Sequence, residues 1–209
     1  MHLFRPQPAP PPIALADSTW PKETWKAVDI ALAGMVPDSP LYFRPENEVW
    51  AKWCASSFAT LLVPHLLACR GACRKGMREV RELDLAFTAT LSSSQREASS
   101  SLGKEMIGAS QGARHLSDLA KLNSWVETGV MSGQAATILA VRSFHFHIPA
   151  AQTIFAALFC DWLAASPTHR EGETEDRQRI FQEANTGLAK QLQIWLQAEA
   201  NNRFPTGPV

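Results

Sequence analysis

Apolar residues recur every three or four positions along most of this 209-residue chain. That spacing is the one with which an α-helix buries a single face. No segment alternates apolar and polar residues over the length of a strand. The pattern therefore predicts an all-α fold, a single-domain bundle of about six to eight helices. The clearest buried stripe comprises Trp50, Trp53, Cys54, Phe58, Leu61 and Leu62.

Proline and glycine residues set the predicted boundaries, because proline cannot continue a helix interior and glycine favours helix ends. Residues 1–14 are expected to form a proline-rich disordered tail, residues 15–201 the all-helical domain, and residues 202–209 a frayed C-terminus. A short junction is expected at Ser143–His147. The predicted helices are Pro21–Ala33, Glu46–Arg70 with a kink at Pro64, Met77–Leu91, Gln95–Leu119, Asn123–Val141 with a bend near Gly129–Gly133, Pro149–Trp162 and Arg177–Asn201.

Charge and hydropathy exclude two classes of partner. Lys plus Arg and Asp plus Glu each number 20, so the net charge is zero, whereas a general nucleic-acid binder needs a positive surplus. No run approaches the roughly 18 apolar residues of a membrane span, and the N-terminus lacks the apolar core of a signal peptide. A cytoplasmic protein whose four cysteines are free thiols is expected.

A search for catalytic motifs finds no nucleophile elbow, phosphate-binding glycine loop or H-E-x-x-H helix. Asp84, Glu97 and Glu105 are acidic residues on predicted helices, and such charges usually belong to a solvated face. The sequence therefore predicts neither an enzyme nor a bound cofactor.

Two groups of residues could bind a metal. His65, Cys69 and Cys73 follow one another at four-residue spacing, which places soft ligands on one helix face, although the neighbouring residues are typical of a core helix. His145 and His147 are separated by one residue and lie shortly before Pro149. In that position they could chelate a metal or cap helix ends. Both interpretations of each group remain open.

The segment from Leu83-Asp84 to Gly103 resembles the urease accessory protein F family. That family has a Leu-Asp pair near a helix start, followed by R-x-A-S-x-x-x-G, which Arg96, Ala98, Ser99 and Gly103 match. Shorter stretches in the same order are also similar to the family, namely Leu15-Ala16-Asp17-Ser18 with Pro21, Leu61-Leu62-x-Pro64, and Ser143-Phe144-His145 with Pro149.

The resemblance implies an accessory protein that performs no chemistry itself. Such a chaperone is expected to form a homodimer, to join other urease accessory proteins including a GTPase, and to help insert nickel into apo-urease. The partner-binding residues that it implies are Arg96, Ser99, Gly103, His145 and His147.

Two other functions remain as alternatives. One is an unrelated helical adaptor or effector that binds partners through exposed tryptophans and the proline-rich tail. The other is a helical metal-binding protein built around the His65 group or the His145 group.

Overall fold

The computed structural model describes residues 22–41, 49–110 and 117–185. Within these ranges the chain is helical and contains no strand. If the continuous run from Trp50 to Cys73 is counted once and a short 3-10 turn is left out, the described residues form eight helices in one bundle, which confirms the predicted all-α fold and helix number. The predicted tail at residues 1–14 and the predicted C-terminus at residues 202–209 lie outside the described residues.

The first half of the bundle runs from α1 to α5. Helix α1 is Lys22–Ala31. A continuous helical run follows, made of α2 (Trp50–Trp53), a π-helix (Cys54–Leu62) and α3 (Val63–Cys73). Helices α4 (Met77–Thr90) and α5 (Ser93–Gly108) complete this half.

The second half contains four α-helices and one short 3-10 turn. These helices are α6 (Ser117–Glu127), α7 (Ala135–His145), α8 (Ala150–Ala165) and α9 (Thr174–Ala184), with the 3-10 turn at Pro167–Arg170. Among the described helices, none combines the length and apolar character that crossing a bilayer requires.

Helix α7 is the centre of the bundle and contacts α3, α5 and α8. Every residue from Ala135 to Ser143 is buried, so α7 has no solvated face along most of its length. A helix that is apolar on all sides is stable only when neighbours surround it. Helix α7 is therefore a core helix, enclosed by its neighbours along most of its length.

Pro64 was predicted to kink or divide its helix, and the structure shows the form that this irregularity takes. Residues Cys54–Leu62 form a π-helix, at whose end the amide of Val63 donates to the carbonyl of Phe58, five residues back. Proline lacks an amide hydrogen and its ring clashes with a regular preceding turn. The wider π turn accommodates that ring, and α3 continues regularly from Val63.

Several predicted boundaries are wrong. The helix predicted over Gln95–Leu119 ends at Gly108, and α6 begins separately at Ser117. The predicted Asn123–Val141 helix is divided into α6 and α7 at its glycine-containing bend. Of the expected junction at Ser143–His147, Ser143 to His145 belong to the last turn of α7, and Phe146 and His147 form the turn that follows. The last helix begins at Thr174 rather than Arg177, and its predicted continuation beyond residue 185 lies outside the described residues.

Candidate functional site

Asp84 on α4 caps the start of α7 from a neighbouring helix. Its Oδ2 accepts a hydrogen bond from the amide of Gly133, and its Oδ1 accepts one from the amide of Gln134, both at 3.0 Å. The first amides of a helix have no partner within the helix and carry a partial positive charge. A carboxylate at this position therefore satisfies two amide donors and complements the helix dipole.

The prediction that Asp84 lies on a solvated face is wrong, because its side chain is completely buried. Its position on α4 explains why, since it falls in the same helical stripe as the buried residues Met77, Val80 and Phe87. Glu97 and Glu105 are exposed, as predicted.

Ser99 and Gly103 on α5 meet the same end of α7. The Ser99 hydroxyl accepts a hydrogen bond of 3.1 Å from the amide of Ala135. A Cβ atom added to Gly103 would lie 2.1 Å from the carbonyl oxygen of Gly133. Only glycine fits at that separation, so Gly103 lets α5 approach the backbone that leads into α7. We call Asp84, Ser99 and Gly103 the α7 clamp.

A polar network lies beneath the clamp. The hydroxyl of Thr137 is hydrogen-bonded to Asp84 and lies 3.0 Å from Nε2 of His65, which stacks on Phe87 at a ring separation of 4.1 Å. Thr137 thus connects the Asp84 carboxyl on α4 to the His65 imidazole on α3.

Burial controls the protonation of this network. Desolvation raises the pKa of the Asp84 carboxyl, and the hydrogen bonds from Thr137, Gln134 and Gly133 partly oppose that rise. Desolvation also lowers the pKa of His65 to about 3, so its imidazole is neutral at physiological pH.

In the described structure, His65, Cys69 and Cys73 are not brought together as three ligands of one metal ion. Among the described residues, no group of three or more His, Cys, Asp or Glu side chains is arranged to hold a metal ion. The Cys69 sulfur lies 3.5 Å from Nε2 of His65, and burial raises the pKa of both cysteine thiols, that of Cys73 to about 11. These residues are part of the core on α3, and all four cysteines of the chain are buried without a disulfide in the described structure.

Arg96 lies at the start of α5 and is exposed. Its Nε donates a hydrogen bond of 2.9 Å to the carbonyl of Leu91, which tethers the turn between α4 and α5. In the same turn the Ser92 hydroxyl accepts from the amide of Gln95, and the Gln95 side chain accepts from the amide of Ser92. Through this capping box Ser92 caps the start of α5.

His145 and His147 lie at the opposite end of α7. His145 is half-buried, and its Nε2 is 3.6 Å from Oδ2 of Asp118 on α6. Burial lowers the pKa of His145, the Asp118 carboxylate partly opposes this, and the nearby His147 adds to it. His145 therefore presents a neutral imidazole near pH 7, while His147 is exposed to solvent.

The backbone of His147 is in the left-handed region, at φ 56°. The helix ends there in a Schellman motif, because the amide of His147 donates to the carbonyl of Phe144 and the amide of Ile148 donates to the carbonyl of Ser143. Glycine is the residue that normally occupies this position of such a turn, since a Cβ atom is disfavoured in that conformation. His147 is therefore held in a strained conformation, with its side chain at the surface.

Arg142, one turn earlier on α7, links three helices and was not identified from the sequence. Its guanidinium donates to the carbonyls of Ile30 and Ala31 at the end of α1 and to that of Met106 near the end of α5. Neither of those helices has a basic residue in its last turn, so Arg142 supplies the positive charge at both C-termini. Burial lowers its pKa to about 10, and the guanidinium stays charged at neutral pH.

The structure thus distributes the five predicted site residues over three places. Ser99 and Gly103 meet at the start of α7, His145 and His147 lie at its end, and Arg96 lies at the start of α5. An 11-residue helix is about 16 Å long, so the two ends of α7 are separate sites connected by one rigid element.

Comparison with known families gives one match. The model of the UreF family matches residues 49–168, which is more than half of the chain and includes the α7 clamp and both histidines at the end of α7. Searches of curated proteins and of solved structures gave no significant match.

Proposed function

Because the chain belongs to the UreF family of urease accessory proteins, we propose that it is a scaffold for urease maturation. In this proposal it forms a homodimer in the cytoplasm, binds other urease accessory proteins including a GTPase, and helps them deliver nickel to apo-urease. Nickel is cargo here and not a resident cofactor. The family is one of accessory proteins and not of catalytic enzymes.

The observation that carries the proposal is the position of the family motif. Asp84, Ser99 and Gly103 all contact residues 133–135, where the chain enters α7, and none of the three is available at the surface. Residues buried in this way influence a partner through the element that they position. That element is α7, whose far end reaches the surface at His147.

The end of α7 has features that suit protein binding. Arg142 donates to the carbonyl of Ile30 and lies 5.3 Å from the ring of Phe146, so both residues flank the same guanidinium. Ile30 is 42% exposed, and Phe146 is half-buried. Apolar side chains beside exposed polar residues are typical of an interface core and its rim. We therefore assign partner binding to the surface around His145, Phe146 and His147.

Arg96 has a different role in this proposal. It is exposed and tethers the turn before α5, so it can contact a partner directly while holding the start of the helix that carries Ser99 and Gly103. Replacement of Arg96 by Ala is expected to weaken assembly without disturbing the α7 clamp.

Substitution of His147 by Gly tests the proposal with an intact fold. Glycine suits the left-handed backbone, so His147→Gly should stabilise the free protein by about 1 kcal/mol, measured by urea unfolding. The same variant removes the exposed imidazole and should weaken the complex with the urease accessory proteins of the source organism, measured by size-exclusion chromatography with light scattering.

A matched control is available at Ala33, whose φ of 59° is also in the left-handed region. Ala33→Gly should stabilise the protein similarly and leave assembly unchanged. Equal assembly of the two variants would remove His147 from the interface. A wild-type monomer that ignores all urease components would overturn the scaffold and favour the adaptor alternative, and tightly bound metal in that monomer would favour the metal-binding alternative.

A further inference from the structure

A turn with three exposed cations joins α3 to α4. Arg74 and Lys75 lie in the turn itself, and Arg78 lies in the first turn of α4. Arg78 is paired with Glu82 at 3.2 Å, whereas neither Arg74 nor Lys75 is paired with a carboxylate in the described part of the chain. We call Arg74, Lys75 and Arg78 the basic turn.

Backbone hydrogen bonds and buried neighbours hold the basic turn in one conformation. The amides of Lys75 and Gly76 both donate to the carbonyl of Ala72, at 2.8 and 2.9 Å. Cys73 and Met77, on either side of the turn, are buried and anchor it in the core. Charged groups on a preorganised backbone lose less conformational entropy on binding than groups on a mobile loop. The basic turn is therefore suited to direct contact with a partner.

The basic turn lies at the same end of the bundle as the last turn of α7. Near the starts of α3 and α7, His65 contacts Thr137. Near their other ends, both helices approach Asp118 of α6. The Asp118 carboxylate is 3.6 Å from Nε2 of His145, and burial together with this carboxylate raises the pKa of the Cys73 thiol. The two helices therefore run in the same direction, and the basic turn, which directly follows α3, shares a bundle end with the surface assigned above to partner binding.

The charge around the basic turn favours an anionic partner. Residues 70–82 contain five Arg or Lys and two Glu, although the whole chain has no net charge. Within this segment Arg81 donates to the neutral carbonyl of Val130, so that contact leaves its positive charge in place. A local excess of cations on a neutral chain attracts negatively charged groups and steers their approach. The basic turn is the exposed part of this excess.

We propose that the basic turn binds an acidic segment of the partner protein that contacts the end of α7. Carboxylates of that segment accept hydrogen bonds from the guanidinium groups of Arg74 and Arg78 and pair with Lys75. Nucleic acid is the less suitable anion, because two glutamates interleave with the three exposed cations. The inference rests on the proposed function, which places a partner at this end of the bundle, but binding of an acidic peptide is measured without any urease component.

Fluorescence anisotropy of a labelled polyglutamate peptide tests the basic turn in the full-length protein. The peptide should bind the wild type at low salt and dissociate as salt rises, because salt screens exposed charges. Lys75→Glu should weaken binding about tenfold or more, since it places like charges together. Lys52→Glu is the matched control, the same change at an exposed lysine at the start of the helical run that α3 completes, and it should leave binding unchanged. Equal binding by the two variants, or no binding to the wild type, would overturn the inference, and so would tighter binding of a mixed-sequence oligonucleotide.

Assembly measurements separate this inference from the proposed function. With the urease accessory proteins of the source organism, Lys75→Glu should slow association about tenfold and reduce its salt dependence, measured by biolayer interferometry, while Lys52→Glu associates like the wild type. Equal association of the two variants would overturn the inference and leave the scaffold in place. A wild-type protein that binds the peptide but none of the accessory proteins would support the basic turn and overturn the scaffold.

Discussion

At the scale of single residues, Asp84 shows how one buried charge decides where a helix begins. In the described structure no cationic side chain is paired with its carboxylate. The carboxylate instead accepts hydrogen bonds from two amides of the segment preceding α7 and interacts with Thr137. Removal of a capping carboxylate costs about 0.5 to 2 kcal/mol, and each buried amide left unsatisfied adds to that cost.

Asp84→Ala is therefore expected to destabilise the protein by about 2 kcal/mol near neutral pH. Because burial raises the folded-state pKa of Asp84 above the unfolded value of about 3.9, the folded protein takes up this proton first as the pH falls. The resulting stabilisation is fully present below about pH 3.9 and is lost as the pH rises through the folded-state pKa.

Urea unfolding of the wild-type protein and of Asp84→Ala at a series of pH values measures both effects. The difference in unfolding free energy between them should widen as the pH falls from 7 towards about 4. Glu97→Ala is the matched control, because Glu97 is an exposed acid on the neighbouring helix. A difference that narrows with acidification would mean that the hydrogen bonds to the Asp84 carboxylate outweigh burial and lower its folded-state pKa, contrary to the expected direction.

The signal for Asp84 was present in the sequence. Met77, Val80, Asp84 and Phe87 fall in one helical stripe, so an acidic residue at a core position indicated a buried capping role. Arg142 gave a similar signal, as a single cation within an otherwise apolar helix. The acceptors of both residues could not be predicted, because they are backbone groups of distant segments that only the tertiary fold brings together.

At the scale of elements, periodicity predicted the helices better than their ends. The buried stripe of α4 follows directly from apolar spacing, and the apolar run after Pro149 forms α8, which is buried on all sides over residues 153–163. The π-helix at Cys54–Leu62 has the same apolar residues as a regular helix, so composition could not reveal it. The end of α5 at Gly108 was not predicted, because a glycine can mark either a helix end or a close packing contact. At Gly108 it marks the helix end, since no atom lies within 4 Å of an added Cβ.

Two glycines on α5 give opposite predictions for the same substitution. Gly103→Ala would place a Cβ atom 2.1 Å from the Gly133 carbonyl oxygen and should cost about 1 to 3 kcal/mol, because backbone must move to make room. Gly108→Ala meets nothing within 4 Å and should stabilise the protein by up to about 1 kcal/mol, since alanine favours helix.

Thermal or urea unfolding of the two variants measures this difference. Their changes in unfolding free energy should have opposite signs, although the chemical change is identical. Similar values for both variants would mean that α5 does not approach the start of α7 closely. In that case the α7 clamp would lack its third member.

At the scale of the whole molecule, α7 connects the family motif to the proposed interface. Its first amides are held by α4 and α5, and its last turn holds the ends of α1 and α5 through Arg142. A shift at either end of this helix must disturb packing on all sides, because the helix is buried along its length. The proposed scaffold role therefore depends on a rigid central helix.

Arg142→Met tests how much of the bundle depends on that connection. Methionine has a similar length and is apolar, so the variant retains much of the packing but leaves the carbonyls of Ile30, Ala31 and Met106 without their charged donor. Hydrogen bonds to charged groups contribute about 1.5 to 3 kcal/mol each and are not additive, so a loss of roughly 3 kcal/mol in unfolding free energy is expected.

Arg142→Lys separates charge from geometry. An ammonium group keeps the positive charge near two helix C-termini but cannot match the planar guanidinium, which reaches carbonyls on two helices at once. Its stability should fall between those of the wild-type protein and the methionine variant. Because neither replacement side chain can donate to Ile30, Ala31 and Met106 together, hydrogen exchange in α1 should accelerate more than in α8. A lysine variant as stable as the wild type would show that charge alone holds these helix ends together.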